Sequence, residues 1–252
     1  MVLNEKKIGI ALDGGGIKGL AHIGVLKVLE EKGYEIEYIA GTSVGSLVGG
    51  FYAYFKSAEK LEKISLEQNW ISVLRAISDP SIKKGVLKGK RFKELIESYI
   101  GDVKIEDLDI KFSAIATDVN KEEKVVLDKG KLSDAIVASC SVPVIFKPSD
   151  IGEYSLLDGG FVEPVPIRTL KDMGCGKILS VDLHNGYTHT GKSNIIVHCY
   201  GIMLKQLIKE QTKNVWRVVI PEFNGALSLK KFLGEGKDII ELGEIAARKV
   251  LD

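Results

Sequence analysis

A serine between two glycines, in the stretch Gly41-Thr42-Ser43-Val44-Gly45, has the surroundings in this chain that best suit nucleophilic chemistry. An extended-looking run, 36–40, precedes it, and an apolar run, 47–55, follows it. A strand, a Gly-x-Ser-x-Gly turn and a buried helix are typical of a nucleophile elbow, whose sharp turn holds the serine hydroxyl clear of the backbone. The pentapeptide is also common in turns without chemistry, so alone it leaves the two interpretations about equal.

A glycine-rich loop, Asp13-Gly14-Gly15-Gly16-Ile17-Lys18-Gly19, follows the apolar run 8–12 and precedes an apolar helix predicted for 20–29. Strand, glycine loop and helix together form an anion-binding geometry, because unpaired backbone amides point at whatever lies over the loop. Three functions fit that geometry: a dinucleotide-binding fingerprint, a phosphate-binding loop and an oxyanion hole.

The surroundings of the loop favour the oxyanion hole. A dinucleotide site has an acid in the role of Glu35 or Glu37, but here the second strand would run directly into the serine turn. A phosphate-binding loop needs Ser or Thr after Lys18, which is followed by glycine. Neighbouring strands of a doubly wound sheet end at one edge, so we expect the glycine loop, with its successive amides, beside Ser43.

A third motif, Asp158-Gly159-Gly160, places a carboxylate at the end of a predicted strand, although an Asx turn is the simpler explanation. The general base that normally accompanies such a serine is a histidine. The four histidines lie in no recognisable motif, and they are His22, His184, His189 and His198. The base therefore need not be a histidine. Cys140 is predicted to be a buried structural thiol rather than a nucleophile.

In this order, the three motifs resemble those of the patatin-like phospholipase family over nearly the whole chain, and Ala138-Ser139-Cys140-Ser141-Val142-Pro143 resembles that family's segment before the aspartate. The resemblance implies a dyad of Ser43 as nucleophile and Asp158 as base, with an oxyanion hole from Gly14, Gly15 and Gly16. It also implies lipid acyl hydrolysis through an acyl-enzyme, with no metal and no other cofactor. The remaining motif residues support these groups, and they are Lys18, Gly19, Gly41, Gly45, Gly159 and Gly160.

The overall composition fits a single α/β domain. The chain has 252 residues, a hydrophobic fraction of 45% and a net charge of +1, which argues against general binding to nucleic acid. Three widely spaced cysteines predict free thiols in a reducing compartment. No signal-peptide core and no apolar run of about 20 residues is present, so we expect a cytoplasmic location.

The predicted architecture has three layers, α/β/α, around a central and mostly parallel sheet with a nucleophile elbow. It forms one patatin-like domain over residues 1–252, with a helical and basic insertion at about 56–112. The basic run 83–93 within it suits peripheral contact with an anionic membrane, although a solvated loop is the more frequent meaning of such a run.

Three functions from different classes fit the sequence, in decreasing order of support. The first is a lipid acyl hydrolase of the phospholipase or esterase type, with a lipid or acyl ester as substrate. The alternative is a non-catalytic lipid-binding or regulatory protein that retains the fold. A dinucleotide-dependent oxidoreductase ranks third, and the oligomeric state is left open.

Overall fold

An eight-stranded mixed sheet forms the centre of the structure, a computed structural model that describes residues 6–67, 89–143, 146–185, 195–223 and 236–252. The strands are β1 (Lys7–Leu12), β2 (Glu35–Thr42), β3 (Lys111–Asp118), β4 (Glu123–Leu127), β5 (Ser149–Ile151), β6 (Tyr154–Asp158), β7 (Ile178–Val181) and β8 (Arg217–Val219). Their order is β5-β6-β3-β2-β1-β7-β8, and β4 pairs with β3 beside this path.

The middle of the sheet is parallel and one side of it is antiparallel. β1 runs parallel to β2 and β7, β2 to β3, and β7 to β8. β3 pairs antiparallel with β4 and β6, and β5 pairs antiparallel with β6. The predicted mostly parallel α/β sheet is confirmed. Because the parallel strands share one direction, the loops after β1, β2 and β7 lie at the same edge.

Helices connect the strands. They are α1 (Leu20–Glu31), α2 (Val44–Phe55), α3 (Ala58–Ser65), α4 (Gly89–Ile100), α5 (Leu132–Ser139), α6 (Ile167–Asp172), α7 (Ile195–Gln211) and α8 (Gly236–Leu251). Short 3-10 turns span Gly16–Gly19, Ile105–Asp107 and Gly159–Phe161. No helix in these described ranges combines the length and the apolar character that a bilayer crossing requires.

Alternate residues of β1 face two separate cores, which produces the three layers. Ile10 and Leu12 join the larger core with the buried faces of α1, α2 and α8. Ala11 points the other way, into a smaller core that contains Leu170 of α6 and Ile208 of α7. This alternation is the period-two pattern of a strand buried on both faces.

The helix boundaries differ from the sequence prediction mainly in α7. The sequence pattern predicts a helix over about 203–213, whereas the structure starts this helix at Ile195 and ends it at Gln211. The tail helix, predicted from residue 234, begins at Gly236. The first turns of α7 begin with Ile195-Ile196-Val197 and contain Gly201, and β-branched residues and glycine have low helix propensity, so the pattern identified only the second half of the helix.

The segment 56–112 contributes to the main core rather than standing apart from it. Leu61 of α3 and Ile96 of α4 are buried within the larger core. Residues 68–88, with Lys83, Lys84 and Lys88 of the basic run, lie outside the described residues. Of the rest of that run, Lys90 pairs with Glu94 and Lys93 pairs with Asp134. The division into a domain and an insertion stays a prediction.

Candidate active site

Ser43 alone makes the turn between β2 and α2. Its backbone angles are φ 54° and ψ −127°, a region that residues with a side chain rarely adopt. Its N–H donates to Ser139 Oγ at 2.9 Å, and its carbonyl accepts from Ser46 Oγ at 2.6 Å. The strained turn is therefore held from both sides, as a nucleophile elbow requires.

The glycines on either side of the turn are needed because backbones pass close to them. A Cβ on Gly41 would lie 2.4 Å from the carbonyl oxygen of Gly45, and a Cβ on Gly45 would lie 2.2 Å from that of Leu12. A Cβ on Gly19 would lie 2.4 Å from a methyl carbon of Val44. The motif glycines thus bring β1, β2 and the starts of α1 and α2 together at one point.

The glycine loop lies directly against the serine. A Cβ on Gly14 would lie 3.2 Å from Ser43 Cβ, so any side chain there would occupy the space beside the hydroxyl. Gly15 and Gly16 have φ values of 153° and 59°, which favour glycine. No hydrogen bond outside the helices and strands of the described residues uses the amides of Gly14, Gly15 or Gly16. These amides are available to an oxyanion.

β3 brings Asp158 to the end of β2. Ile115 of β3 pairs with Thr42, and the next residue, Ala116, pairs with Asp158. Both residues also pair with β4, which occupies the opposite edge of β3. β2 and β6 therefore share one edge of β3 and meet there end to end, so that Ser43 and Asp158 are neighbours across the junction.

Hydrogen bonds hold both the N–H and the carbonyl group of Asp158. Its N–H donates to the Ser141 carbonyl at 3.0 Å, and its own carbonyl accepts from Thr117 Oγ1 at 2.8 Å. Its Oδ1 accepts from the Gly160 N–H at 2.8 Å, which is the predicted Asx-type turn. A Cβ on Gly159 would lie 2.3 Å from the Ile115 carbonyl oxygen, so glycine is needed there. The Asx-type turn is therefore part of the candidate site and not an alternative to it.

The carboxyl group of Asp158 is buried and is a stronger base than an ordinary aspartate. Burial raises its pKa to about 6, while hydrogen bonding by the Ser43 side chain and the Gly160 amide lowers it. The charge of Asp13 raises the pKa further, and His184 lowers it. Oδ2 has no well-aligned hydrogen-bond partner in the described part of the chain, so Ser43 interacts with it loosely. Such bonds often tighten only when substrate binds.

The last residue of α5 and the segment that follows it contact both candidate catalytic residues. Ser139 Oγ holds the amide of Ser43, and the Ser141 carbonyl holds the amide of Asp158. Cys140 between them is buried, its pKa is raised by that burial, and it is a packed thiol as predicted. Sequence reasoning noted this run only as a resemblance. The structure shows that it links the two halves of the site.

Asp13, the first residue of the glycine loop, anchors that loop to the turn after β7. Its buried Oδ2 accepts from the Leu183 N–H at 3.0 Å and lies 2.8 Å from His184 Nδ1. His22 Nε2 donates to the Asp13 carbonyl at 2.8 Å, and burial lowers the pKa of His22 to about 4, so this histidine is neutral and packed. Sequence reasoning missed Asp13 and His184 as partners because they lie about 170 residues apart.

Lys18 also links the glycine loop to the turn after β7. Its Nζ donates to the Leu183 carbonyl at 3.1 Å, and burial lowers its pKa to about 8 although Asp13 and Asp182 raise it. Asp13, Asp182 and His184 offer possible metal-ligand atoms within 4.8 Å of one another. Amides and side chains of the β7 turn already use oxygens of both carboxylates, so the cluster is explained as a structural link.

The structure thus brings the sequence-predicted site residues to one edge of the sheet. In the described part of the chain two histidines approach this edge through Asp13, His184 at its carboxylate and His22 at its carbonyl. His189 lies outside the described residues, and His198 belongs to α7. The arrangement brings together a serine hydroxyl, a buried carboxyl group and unused amides, a set of groups that suits acyl transfer.

Comparison with known proteins gives a consistent family. The family model described as patatin-like phospholipase matches residues 10–171. An uncharacterized NTE family protein of Mycobacterium tuberculosis is 35% identical over 187 residues, 72% of this chain and 50% of that protein. Lysophospholipase NTE1 of Candida glabrata is 33% identical over 185 residues, 72% of this chain and 11% of that protein. The chain spans about half the length of the mycobacterial relative it matches.

Two solved structures share the fold. VipD from Legionella pneumophila superposes with a TM-score of 0.56 and 12% identity, covering 97% of this chain and 66% of that chain. The type III effector ExoU of Pseudomonas aeruginosa superposes with a TM-score of 0.51 and 14% identity, covering 97% of this chain and 53% of that chain. At these identities the likeness concerns the fold alone.

Proposed function

Because the chain belongs to the patatin-like phospholipase family, we propose that it is a lipid acyl hydrolase that cleaves carboxylic esters with a Ser43–Asp158 dyad. One observation carries the proposal. The end-to-end junction of β2 and β6 on β3 sets a strained serine beside a buried carboxylate whose pKa is about 6. A perturbed carboxylate next to a nucleophile with unused amides at hand is the pattern expected of a catalytic site.

In the first step, Ser43 Oγ attacks the ester carbonyl and Asp158 Oδ2 takes the hydroxyl proton. The electron pair of the carbonyl moves to its oxygen, and the amides of Gly14, Gly15 and Gly16 stabilise that negative charge. When the tetrahedral intermediate collapses, the bond to the alcohol breaks and Asp158 returns its proton to the departing oxygen. The acyl group is then bound to Ser43 as an ester.

In the second step, water attacks the acyl-enzyme and Asp158 again accepts the proton. Collapse of the second intermediate breaks the bond to Ser43 Oγ, which recovers its proton, and a carboxylic acid leaves. A base with a pKa near 6 suits this cycle, because it is ionised at neutral pH and still attracts a proton more strongly than an exposed aspartate. No step requires a metal or another cofactor.

The proposed substrate is a phospholipid or a related acyl ester. The name of the Candida glabrata relative, lysophospholipase, supports this substrate class. An apolar substrate would also exclude water from the site, which would strengthen the electrostatic interaction of the amides with the oxyanion. We also propose that the protein acts in the cytoplasm, at a membrane surface that it contacts peripherally.

Fluorophosphonate labelling tests the proposal, since the probe reacts with a serine whose hydroxyl is activated beside a formed oxyanion site. We expect one adduct, on the peptide that contains Ser43, and none on Ser43→Ala or on denatured protein. Asp158→Asn should reduce labelling and ester turnover by at least about a hundredfold while the circular dichroism stays native. Ser180→Ala is the matched control, because Ser180 is also a buried serine but lies within β7 rather than at the turn after β2.

Other outcomes would contradict the proposal in distinct ways. No adduct on well-folded protein would favour the non-catalytic lipid-binding alternative. If His184→Gln abolished labelling as completely as Asp158→Asn in a folded protein, the site would be a triad and the dyad assignment would be wrong.

A further inference from the structure

Glu163 connects the two halves of the candidate site through its main chain. Its N–H donates to the Gly159 carbonyl at 2.9 Å, and Gly159 directly follows Asp158. Its carbonyl accepts from Thr42 Oγ1 at 2.7 Å, and Thr42 directly precedes Ser43. A single residue is thus hydrogen-bonded both to the neighbour of the serine and to the neighbour of the carboxylate. We call these two hydrogen bonds the Glu163 bridge.

The side chain of Glu163 anchors this bridge to two further elements. The residue is 3% exposed, and both of its carboxylate oxygens are hydrogen-bonded. Oε1 accepts from the Thr169 N–H of α6 at 3.0 Å, and Oε2 accepts from Thr169 Oγ1 at 2.7 Å. Oε2 also accepts from Lys124 Nζ of β4 at 2.8 Å, which makes an almost fully buried ion pair. The position of the bridge is therefore tied to both β4 and α6.

Capping of α6 explains only part of these contacts. The Thr169 amide lies in the first turn of α6, where N–H groups have no partner within the helix and a side-chain oxygen commonly accepts from them. Capping accounts for neither the ion pair with Lys124 nor the two main-chain bonds. Stability alone is also a weak explanation of a buried ion pair, because apolar side chains of similar volume often stabilise a protein as well or better. A fully hydrogen-bonded buried network does, however, fix one arrangement of the elements that it joins.

The end-to-end junction on β3 needs such contacts. In the described sheet β2 and β6 each pair with β3 and not with each other, so no ladder of hydrogen bonds sets the distance between Ser43 and Asp158. The segment 139–141 holds the amides of these two residues themselves. The Glu163 bridge holds the residues beside them, and it is the contact that joins the two turns through one residue.

We propose that Glu163 is a positioning residue for the Ser43–Asp158 dyad, and that its ion pair with Lys124 holds the bridge where proton transfer between the two requires it. The inference rests on the proposed function and adds to it a residue that does not touch the reacting atoms. Proton transfer needs the serine hydroxyl within hydrogen-bond reach of the carboxylate, and a misplacement of about 1 Å can lower turnover about a hundredfold. Loosening the bridge should therefore lower kcat and leave KM nearly unchanged.

Thr42→Val tests the bridge on the serine side, because valine keeps the shape of threonine and removes the hydroxyl that donates to Glu163. With p-nitrophenyl esters as substrates, kcat should fall about tenfold while KM stays within about twofold of wild type. Thr42→Ser, which keeps a hydroxyl, should recover most of the loss, whereas a defect of packing would not be repaired by the smaller residue. Fluorophosphonate labelling taken to completion counts the folded sites, so kcat is expressed per site.

Glu163→Gln and Lys124→Met test the anchor of the bridge. Each should lower kcat about tenfold, and the double variant should be no slower than the more affected single variant, because both changes act through one ion pair. Glu153→Gln is the matched control. It removes an exposed ion pair with Lys121, at 3.2 Å, which joins the turns of the β3–β4 and β5–β6 hairpins, and its kcat should stay within about twofold of wild type.

The outcomes separate this inference from the proposed function. If wild type hydrolyses esters and the Thr42, Glu163 and Lys124 variants all keep its kcat per folded site within about twofold, the bridge does not position the dyad and the hydrolase assignment stands. Titration of the Asp158 carboxyl by carbon NMR is a readout without turnover. Because hydrogen bonding by Ser43 lowers the pKa of Asp158, Thr42→Val should raise that pKa and Thr42→Ser should not. Such a rise would support the inference even if the protein hydrolysed nothing, and an unchanged pKa in a protein without turnover would overturn it.

Discussion

Replacing Asp158 by asparagine should abolish turnover and at the same time stabilise the protein at neutral pH. Burial raises the pKa of this carboxyl from its ordinary 3.8 to about 6. The native state therefore binds the proton more tightly than the unfolded chain does, so ionisation of Asp158 opposes folding. Asparagine keeps the shape and the acceptor for the Gly160 amide without carrying a charge.

The sign and size follow from the two pKa values. Below about pH 3.8 the carboxyl is protonated in both the native and the unfolded state, so its ionisation takes nothing from the stability of the fold. Between pH 3.8 and about 6 the unfolded chain ionises first and stability falls, and above pH 6 the loss is complete. A difference of about two pKa units corresponds to about 3 kcal/mol at pH 8, of which roughly half remains at pH 5.

The measurement is urea or thermal unfolding, followed by circular dichroism at pH 5, 6.5 and 8. At pH 8 a difference of 3 kcal/mol should raise the Tm of Asp158→Asn by about 6–12 °C, at the 2–4 °C per kcal/mol typical of domains of this size. Asp150→Asn, an exposed aspartate on β5, controls for the general effect of removing a charge. A variant less stable than wild type at pH 8, or a stability gap equal at pH 5 and pH 8, would refute the reasoning.

Three further predictions concern the same junction. Because only ionised Asp158 accepts a proton, kcat/KM should rise with pH and reach half its maximum near pH 6; a flat profile down to pH 5 would exclude this base. The free energy of unfolding in urea should be about 1–2 kcal/mol higher for Ser43→Gly than for Ser43→Ala, because glycine adopts the strained angles freely; equal stabilities would argue against strain. Ser139→Ala should lower kcat about tenfold with little change in KM, and Ser139→Thr should restore it, since the hydroxyl positions the Ser43 amide; a change in KM alone would contradict a positioning role.

The parts of this site that could be predicted from sequence lie at the ends of parallel strands. The glycine loop after β1 and the serine turn after β2 each follow a strand-like run, and adjacent parallel strands end at one edge. Their proximity therefore followed from local patterns. The need for glycine at position 41 also has a local cause, the close passage of β2 and α2, whereas glycine at position 45 is required by the close passage of α2 and the end of β1.

The remainder depends on contacts between distant segments that carry no periodic signal. Nothing in the run 154–158 indicates that β6 is antiparallel to β3, yet that direction brings Asp158 to Ser43. The hydrogen bond from Ser43 to Ser139 and the pair of Asp13 with His184 join residues about 100 and about 170 positions apart. Such pairs are decided by tertiary packing, and a single sequence does not specify them.

The end-to-end junction on β3 also determines where this protein can tolerate changes in length. Adjacent residues of one strand, Ile115 and Ala116, serve as the pairing partners of the two halves of the site, so the offset between those halves along β3 is one residue step, a rise of about 3.3 Å. Loops remote from this step can gain or lose residues without altering it. A single insertion within β6 would reverse the face to which Asp158 points, and one within β3 would change the offset between the two halves, so evolution can vary the surroundings of this site far more freely than the strands themselves.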